Sequence, residues 1–265
     1  MVRFEATRAD LGMATVIFIT GTDTGAGKTY LTALLLAHLR QKRIHALAIK
    51  PFCSGSRDDV ELLQALQDRE IADELVNPFY FEEPIAPLAA ARKHGRTISL
   101  DSVLAKIAEV GARCDVLLVE GIGGVMVPLG DDYDVLKLIQ KLSCRAIVAA
   151  RNKLGAINHS LLTLRALQNA GVRDIALVLM GCKRGGVLAT TNERVLREFA
   201  PSVDIILVPF LGEQRLGFEG VETNCKKIKK SLALLEEFAN FTPALSKKES
   251  AAANEEFVDS RGSEK

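Results

Sequence analysis

The stretch from residue 21 to residue 29, Gly-Thr-Asp-Thr-Gly-Ala-Gly-Lys-Thr, has the residue types that bind phosphate. Its glycines let successive backbone N–H groups turn inward toward an anion. Lys28 is expected to contact the β- and γ-phosphates of a nucleotide, and the Thr29 hydroxyl to provide a Mg²⁺ ligand. The spacing is unusual, because Thr22 stands where such a loop commonly has its first glycine. The predicted nucleotide-binding residues of this loop are Thr22, Asp23, Thr24, Gly25, Ala26, Gly27, Lys28 and Thr29.

The segments on either side of this stretch support the same interpretation. Residues 15–20 are apolar and largely β-branched, which predicts a strand, and residues 30–40 are rich in good helix formers. A strand, a glycine-rich turn and a helix in this order are the context that a phosphate-binding loop requires. The positive end of the helix dipole would add to the attraction for phosphate. The alternative is a Gly-Lys-Thr sequence that occurs by chance in an ordinary loop.

Polar residues also stand at the ends of other predicted strands. Lys50 ends the second strand, Glu120 ends the third, and Lys153 follows the fourth. In a parallel sheet, ligands bind beyond the carboxyl ends of the strands. These residues are therefore expected to surround one site together with Lys28.

Thr29, Asp59 and Glu120 are the candidate Mg²⁺ ligands. Glu120 stands at the end of an apolar strand, where a carboxylate can face the phosphate-binding loop and hold Mg²⁺ directly or through water. Asp59 could complete a shell of oxygen ligands, and the adjacent Asp58 competes for that role. Each acid also has a plainer interpretation: Glu120 as a solvated or helix-capping acid, and Asp59 as the N-cap of the helix it precedes.

Lys50 is a candidate catalytic residue together with Lys28. Phosphoryl transfer spreads negative charge over the moving group, so a second fixed ammonium beside Lys28 would stabilise it. Just beyond Lys50, Ser54 offers a hydroxyl and Gly55 permits a close backbone approach. The alternative for Lys50 is a lysine that extends from a strand edge into solvent.

The alternation of fully apolar strands with helices predicts the fold class. We expect an α/β, P-loop NTPase-like, three-layer fold with a mostly parallel central sheet flanked by helices on both faces. Residues 1–12 are interpreted as an N-terminal extension and residues 13–241 as the nucleotide-binding domain. Residues 242–265 change in composition and lose apolar periodicity, which predicts a disordered tail.

Two regions inside the domain are expected to be irregular, and the last element to be a single helix. Residues 52–59 are interpreted as a loop after the second strand, and the prolines within residues 77–87 predict irregular chain. Asn77 is interpreted there as ordinary loop punctuation. Residues 222–241 are predicted to form one final helix.

Composition excludes several classes of function. A formal net charge of +1 over 265 residues gives no basic footprint for nucleic acid. The apolar runs are too short to cross a bilayer, and the N-terminus does not resemble a secretory signal. Five scattered cysteines form no Cys-x-x-Cys pair, which is typical of free thiols in the cytoplasm. The histidines lack metal-ligand spacing, and no Ser/His/Asp arrangement suggests hydrolysis.

An ordered set of motifs resembles one enzyme family over about residues 14–240. The set is similar to dethiobiotin synthetase, the ATP-dependent carboxylase and cyclo-ligase of biotin synthesis. In chain order the motifs are residues 21–29; Lys50-Pro51 with Ser54-Gly55; Asp59; Val76-Asn77-Pro78 with Glu83-Pro84 and Pro87; Val119-Glu120-Gly121 with Gly123-Gly124 and Pro128-Leu129; and Lys153-Leu154-Gly155 with Ile157-Asn158-His159.

The resemblance implies a reaction and a set of substrates. One amine of 7,8-diaminopelargonic acid takes up CO₂ to give a carbamate, which attacks the γ-phosphate of Mg-ATP to form a carbamic–phosphoric anhydride. The second amine then closes the ureido ring and expels phosphate. The cofactors implied are ATP and Mg²⁺.

The resemblance also implies roles for particular residues. Lys28, Lys50, Thr24 and Ser54 would act on the carbamate and the γ-phosphate. The family forms a homodimer in which the carboxylate end of the substrate reaches the partner subunit. The implied substrate-binding residues are Lys50, Ser54, Gly121, Gly123, Lys153, Leu154, Gly155 and Asn158, and Pro209, Leu211, Gly212 and Glu213 would lie beside the base.

The chain departs from the family where adenine is commonly read. An Asn is frequent after the fifth strand, and this chain has Met180-Gly181-Cys182 there, which leaves the nucleotide preference open. Two other functions compete with a synthetase. A partition-type or metallocentre-loading switch ATPase usually has an extra lysine early in the loop, which residues 22–26 lack. A non-catalytic nucleotide-binding domain would not need Glu120, Asp59 and both lysines.

Overall fold

The computed structural model describes residues 14–183, 186–212 and 217–239, except for the side chains of residues 186–189 and 218. The strands are β1 (Thr15–Gly21), β2 (Ala46–Ile49), β3 (Phe52–Ser54), β4 (Phe79–Phe81), β5 (Val116–Glu120), β6 (Arg145–Arg151), β7 (Ile175–Met180) and β8 (Asp204–Val208). The helices are α1 (Lys28–Gln41), α2 (Asp58–Leu66), α3 (Asp73–Val76), α4 (Pro87–Lys93), α5 (Leu100–Gly111), α6 (Val135–Leu142), α7 (Ala156–Asn169), α8 (Gly186–Phe199), α9 (Phe218–Lys227) and α10 (Lys229–Phe238).

The central sheet has six strands in the order β2-β5-β1-β6-β7-β8, and every pairing among them is parallel. β1 lies between β5 and β6, with Ile19 opposite Glu120 and Ile17 opposite Arg145. Because the strands are parallel, their carboxyl ends meet at one edge of the sheet, beside the loop that follows β1. The expected α/β fold with a mostly parallel sheet is confirmed.

Three strands of the central sheet are buried along their whole length. All residues of β2, β5 and β7 are buried, which requires cover on both faces of the sheet. Helix α1 carries a buried apolar run that includes Leu34, Leu35 and Leu36. This first helix is therefore held rigidly against the sheet, and its N-terminus is fixed at the carboxyl end of β1.

Two regions expected to be irregular contain regular structure. β3 and β4 pair in parallel as a separate two-stranded sheet, and Phe52 stacks on Phe79 with ring centroids 5.1 Å apart. Strands of three residues are too short to show a clear period in sequence, and the nearby prolines favoured an irregular interpretation. The interpretation of residues 52–59 and 77–87 as loop was therefore wrong in part. Asn77 and Pro78 do lie between elements, after α3 and before β4.

The predicted final helix over residues 222–241 is two helices. α9 ends at Lys227 and α10 begins at Lys229, because Ile228 leaves helical geometry with φ −113° and ψ 24°. Ile228 is buried, so the break between α9 and α10 coincides with a side chain that is packed in the core. The N-terminal extension, residues 1–12, and the tail, residues 242–265, lie outside the described residues. Within the described residues, no helix is long and apolar enough to cross a membrane.

Candidate functional site

The predicted phosphate-binding loop connects β1 to α1 directly. Gly25 and Gly27 have φ values of 69° and 98°, in the left-handed region that glycine adopts without strain. The Thr22 N–H donates to the Ala149 carbonyl at 3.0 Å, which ties the loop to β6. A Cβ on Gly27 would come 3.2 Å from Met180 Cγ, so the end of the loop packs closely on β7. The loop thus opens toward the carboxyl edge of the sheet with its glycines where curvature needs them.

Lys28 is a buried lysine on the first turn of α1. Its Nζ donates to the carbonyls of Gly123, at 2.8 Å, and Asp23, at 3.0 Å. Burial lowers the pKa of Lys28 to about 8, and attraction to Glu120 offsets only part of that effect. This ammonium group therefore lies in the cleft, held by two carbonyls that a phosphate ligand could replace.

Glu120 lies at the centre of a cluster of charged and polar side chains beside Lys28. The carboxylate is almost completely buried, at 1% exposure, and ends β5 next to β1. Glu120 Oε1 accepts hydrogen bonds from Thr29 Oγ1 at 2.6 Å and from Lys50 Nζ at 2.7 Å. The other oxygen, Oε2, is buried with no hydrogen-bond partner among the described residues. A solvated Glu120 is therefore excluded.

Lys50 joins Glu120 to Asp59. Its Nζ donates to Asp59 Oδ2 as well as to Glu120, and the side chain is 8% exposed. Burial by itself would lower the pKa of Lys50, but the Glu120 and Asp59 carboxylates outweigh it and hold the pKa above the ordinary value. Lys50 is therefore a fixed cation in this cluster, and it does not extend into solvent from a strand edge.

The structure distinguishes between the two adjacent aspartates. Asp59 contacts Lys50 and lines the cleft that contains the loop, whereas Asp58 is not among the lining residues. The N-cap of α2 is Arg57, so Asp59 lies in the first helical turn, and its interpretation as an N-cap is wrong. Asp59, and not Asp58, has the position that a metal ligand would need.

Thr29, Asp59 and Glu120 fit a Mg²⁺ ion that is completed by phosphate. They provide two carboxylates and a hydroxyl, and Glu120 Oε2 is an acceptor without a partner among the described residues. The described residues contain no group of three or more His, Cys, Asp or Glu side chains placed to hold a metal. Mg²⁺ commonly uses one or two carboxylates together with substrate phosphates, so this set suits that ion.

One cleft of about 550 Å³ contains these groups. Its lining includes ten of the predicted site residues: Thr24, Gly25, Gly27, Lys28, Thr29, Lys50, Ser54, Asp59, Glu120 and Gly123. Ser54 Oγ is buried with no partner among the described residues, as expected of a group that forms its hydrogen bond with a bound ligand. The cleft brings together groups from the ends of β1, β2, β3 and β5, whereas Lys153, which was expected to join them from the end of β6, is not among the lining residues.

Other predicted residues stand apart from this cleft. Thr22, Asp23 and Ala26 belong to the loop but are not among the lining residues. A Cβ on Gly121 would come 2.7 Å from the Phe18 ring, so this glycine permits close packing rather than substrate contact. The assignment of Gly121 to the substrate has no support in the structure.

The segment between β6 and α7 lies on the surface at the same edge of the sheet. Lys153, Leu154 and Asn158 are exposed, with Leu154 at 82%, and none of them lines the cleft of this chain. Gly155 precedes α7 with φ 90° and leaves the first N–H groups of a 14-residue helix without a side-chain cap. One chain therefore does not bring these four residues to its own cleft.

The predicted base-side residues follow β8 and pack against the end of β7. The Gly181 N–H donates to the Val208 carbonyl at 2.7 Å, and a Cβ on Gly181 would come 2.7 Å from the Pro209 carbonyl carbon. Leu211 is half-buried and Gly212 is exposed. The prediction for Glu213 lies outside the described residues.

Sequence reasoning missed Asn77. This buried amide donates from Nδ2 to the Lys50 carbonyl at 2.8 Å, and the Lys50 N–H donates to the Val76 carbonyl at 2.8 Å. Asn77 therefore holds the backbone from which Lys50 extends. The sequence signal that could have identified Asn77 is its place in the motif Val76-Asn77-Pro78. The local hydrophobic pattern does not distinguish it from an ordinary turn residue. The apolar wall of the cleft, from Pro84 to Pro87 with Ile122 and Val127, was also missed.

Comparisons with known proteins give a consistent result. The model of an AAA domain family matches residues 15–213. The ATP-dependent dethiobiotin synthetase of Bacillus licheniformis is 38% identical over 201 residues, which are 74% of this chain and 83% of that protein. The protein of the same name from Methanocaldococcus jannaschii is 36% identical over 171 residues, which are 63% of this chain and 79% of that protein.

A solved structure supports the fold alone. A chain of the MinC:MinD cell division protein complex of Aquifex aeolicus has a TM-score of 0.54 at 14% identity, covering 85% of this chain and 94% of that one. The sequence relatives carry the family assignment, and they confirm the resemblance that the ordered motifs indicated. The chain belongs to the ATP-dependent dethiobiotin synthetase family of enzymes.

Proposed function

We propose that this protein converts 7,8-diaminopelargonic acid, CO₂ and ATP into dethiobiotin, ADP and phosphate. The observation that carries the proposal is the convergence of Lys28 and Lys50 around Glu120 within one cleft. Negative charge develops on the carbamate oxygens when the amine takes up CO₂, and on the phosphoryl oxygens when the γ-phosphate is transferred. Two ammonium groups fixed before the reaction stabilise such charge without reorganisation.

The loop residues Thr22 to Thr29 bind the nucleotide phosphates. In support, Gly25 and Gly27 have left-handed φ values, and the N-terminus of the 14-residue helix α1 points at the same space. Lys28 exchanges its carbonyl partners for phosphate oxygens. Pro209, Leu211, Gly212 and Glu213 are assigned to contacts with the base. The support is the close packing of Gly181, at the end of β7, on Pro209.

Thr29, Asp59 and Glu120 hold Mg²⁺. The support is the buried Glu120 Oε2, which has no partner among the described residues, and a set of two carboxylates and a hydroxyl, which suits an ion that also binds phosphate. The ion supplies neutralising charge on the phosphates when it is bound.

Lys50, Ser54 and Thr24 act on the carbamate. The carbamate oxygen attacks the γ-phosphorus, the bond to ADP breaks, and the second amine then attacks the carbonyl carbon and releases phosphate. Lys50 and Lys28 hold the carbamate and the transferring phosphoryl group, and the hydroxyls orient them. The free Ser54 Oγ supports this role. The apolar wall near Ile85, Ile122 and Val127 excludes water and accepts the alkyl chain of the substrate.

A homodimer completes the substrate site. Lys153, Leu154, Gly155 and Asn158 contact the carboxylate end of the diamine bound to the partner subunit. The support is their absence from the cleft of their own chain, the exposure of Leu154 and Leu162, and the uncapped N-terminus of α7. A cytoplasmic location is part of the same proposal and is supported by the five free cysteines.

Phosphate release tests this function. The full chain is incubated with Mg-ATP and bicarbonate, with and without 7,8-diaminopelargonic acid, and the series is repeated with CTP and GTP. We expect release only when the diamine is present. Release that is indifferent to the diamine would favour a switch ATPase, and no release would favour a silent binding domain. The nucleotide series reports on selectivity at Met180-Gly181-Cys182.

A further inference from the structure

The ammonium group of Lys50 occupies the position where the proposed metal ligands meet. It donates to Glu120 Oε1 at 2.7 Å and to Asp59 Oδ2, and Glu120 Oε1 also accepts from Thr29 Oγ1 at 2.6 Å. The three ligands assigned to Mg²⁺ are thus joined in one hydrogen-bonded cluster, in which Lys50 contacts the two carboxylates and Thr29 joins through Glu120. The same lysine has the catalytic role proposed above.

A buried carboxylate such as Glu120 needs a compensating charge. Removing a carboxylate from water costs several kcal/mol unless a counter-charge and hydrogen bonds replace the solvent. In the described residues Lys50 provides the direct ion pair with Glu120, and Lys28 contributes attraction from the neighbouring position. With Lys50 in place, the site is electrically balanced before any metal arrives.

We propose that Lys50 acts as an internal substitute for Mg²⁺ in the nucleotide-free protein and leaves Glu120 and Asp59 when metal and nucleotide bind. Two cations attracted to the same two carboxylate groups repel each other at such short range, so each one weakens the binding of the other. The nucleotide resolves this competition, because its phosphates provide both oxygen ligands for the metal and new acceptors for Lys50.

The exchange has two consequences for the proposed function, on which it rests. Metal alone binds weakly, since its charge is repelled by the ammonium group that pairs with the same carboxylates. Arrival of Mg-nucleotide moves the Lys50 ammonium from the metal side of the cleft to the phosphate side, where the carbamate reacts. The same cation therefore stabilises the empty site and then the reacting groups.

Metal binding to the full chain without nucleotide tests the competition. Mn²⁺ binding is measured by electron paramagnetic resonance for the wild type, Lys50→Met and Lys106→Met. Methionine keeps the apolar stem and removes the charge, and Lys106 is an exposed residue of α5 that pairs with Glu109. We expect Lys50→Met to bind Mn²⁺ at least about tenfold more tightly than wild type, because a competing cation is gone. Lys106→Met should match wild type, and unchanged or weaker binding by Lys50→Met would overturn the proposal.

Crystal structures of the wild-type protein provide a test that does not depend on a variant folding. Without ligand, Lys50 Nζ should contact Glu120 Oε1. With Mg²⁺ and a non-hydrolysable ATP analogue, Lys50 Nζ should contact phosphate oxygens and no longer Glu120 or Asp59. A lysine that stays on Glu120 while the metal binds through Oε2 would contradict the exchange. Neither readout requires dethiobiotin formation, so failure of the exchange and failure of the proposed function are distinguishable.

Discussion

Lys50 Nζ donates a 2.7 Å hydrogen bond to Glu120 Oε1, although the two residues are 70 positions apart in the chain. The contact arises because β2 and β5 are neighbouring parallel strands and each residue stands at or just beyond the carboxyl end of its strand. Thr29 donates to the same oxygen from the start of α1. A single buried carboxylate thus links the phosphate-binding loop to the second lysine.

Replacing Lys50 should separate catalysis from nucleotide binding. In Lys50→Ala, we expect turnover to fall by about 10³-fold, because a preorganised charge aimed at the developing oxyanion is lost. The dissociation constant for the nucleotide should rise by no more than about tenfold, since one phosphate contact is lost while Lys28 and the loop are intact. Steady-state assays and calorimetric titration measure the two quantities. Turnover close to wild type would show that the second cation is misassigned.

Replacing Glu120 should weaken the dependence on metal. In Glu120→Gln, we expect the Mg²⁺ concentration for half-maximal activity to rise at least about tenfold, a loss typical even for groups that only support a metal ligand. The matched control is Glu109→Gln, which changes an exposed acid on α5. An unchanged Mg²⁺ titration in Glu120→Gln would remove this residue from the metal shell.

Nucleotide affinity should decline above pH 8 because of Lys28. Burial lowers the pKa of this lysine to about 8 in the free protein, whereas bound phosphate favours the charged form and raises the pKa. Binding above pH 8 therefore takes up a proton, and affinity falls by up to about tenfold per pH unit until the pKa of the bound state is reached. Below pH 8 the Lys28 amine is already charged, so its titration should not change the nucleotide affinity with pH.

Calorimetry in two buffers of different ionisation enthalpy would detect that proton. Uptake should be near zero at about pH 7 and near one proton at about pH 9, as the lowered pKa requires. Lys28→Arg should bind without uptake at either pH, because arginine remains protonated. Proton uptake that is the same in wild type and Lys28→Arg would assign it to another group.

Asn77 should matter for stability as well as for activity. In Asn77→Ala the buried Lys50 carbonyl loses its donor, which is expected to lower the free energy of unfolding by about 1–3 kcal/mol. Asn77→Asp should be at least as harmful, because a carboxylate oxygen would face the carbonyl. Chemical denaturation measures the stability, and kcat against KM tests whether Lys50 is displaced. A fall in stability with unchanged kcat would limit Asn77 to a structural role.

Removing residues 246–265 should have little effect. Their composition lacks apolar periodicity, so we propose that they do not pack on the domain. We expect kcat within about twofold of wild type and a melting temperature within about 2 °C. A clearly lower melting temperature would show that this segment contributes to the folded domain.

Sequence reasoning succeeded where a local pattern has one physical meaning. A fully apolar strand followed by glycines and Lys28 allows few alternatives, and polar residues at strand ends must meet if the sheet is parallel. This logic predicted the neighbourhood of Lys28, Lys50, Asp59 and Glu120. The sheet was predicted correctly on the same grounds, and the family was predicted correctly from the resemblance of the ordered motifs.

The parts that were missed depend on contacts between distant segments. The side chain of Asn77 donates to Lys50, 27 positions earlier, which no local period encodes. The pairing of β3 with β4 brings Phe52 onto Phe79 across the intervening helices α2 and α3. The hydrogen-bonded state of Lys50 is likewise a tertiary property, because sequence places a lysine at a strand end without showing which acids it contacts.

The most direct test of the central claim is incorporation of labelled carbon. The wild-type chain is incubated with ¹³C-bicarbonate, Mg-ATP and 7,8-diaminopelargonic acid, and the products are analysed by mass spectrometry alongside phosphate release. The account predicts dethiobiotin with one ¹³C in the ureido carbonyl and one phosphate released for each molecule formed. Phosphate release without labelled dethiobiotin, or no reaction of a folded protein that binds Mg-ATP, would contradict it.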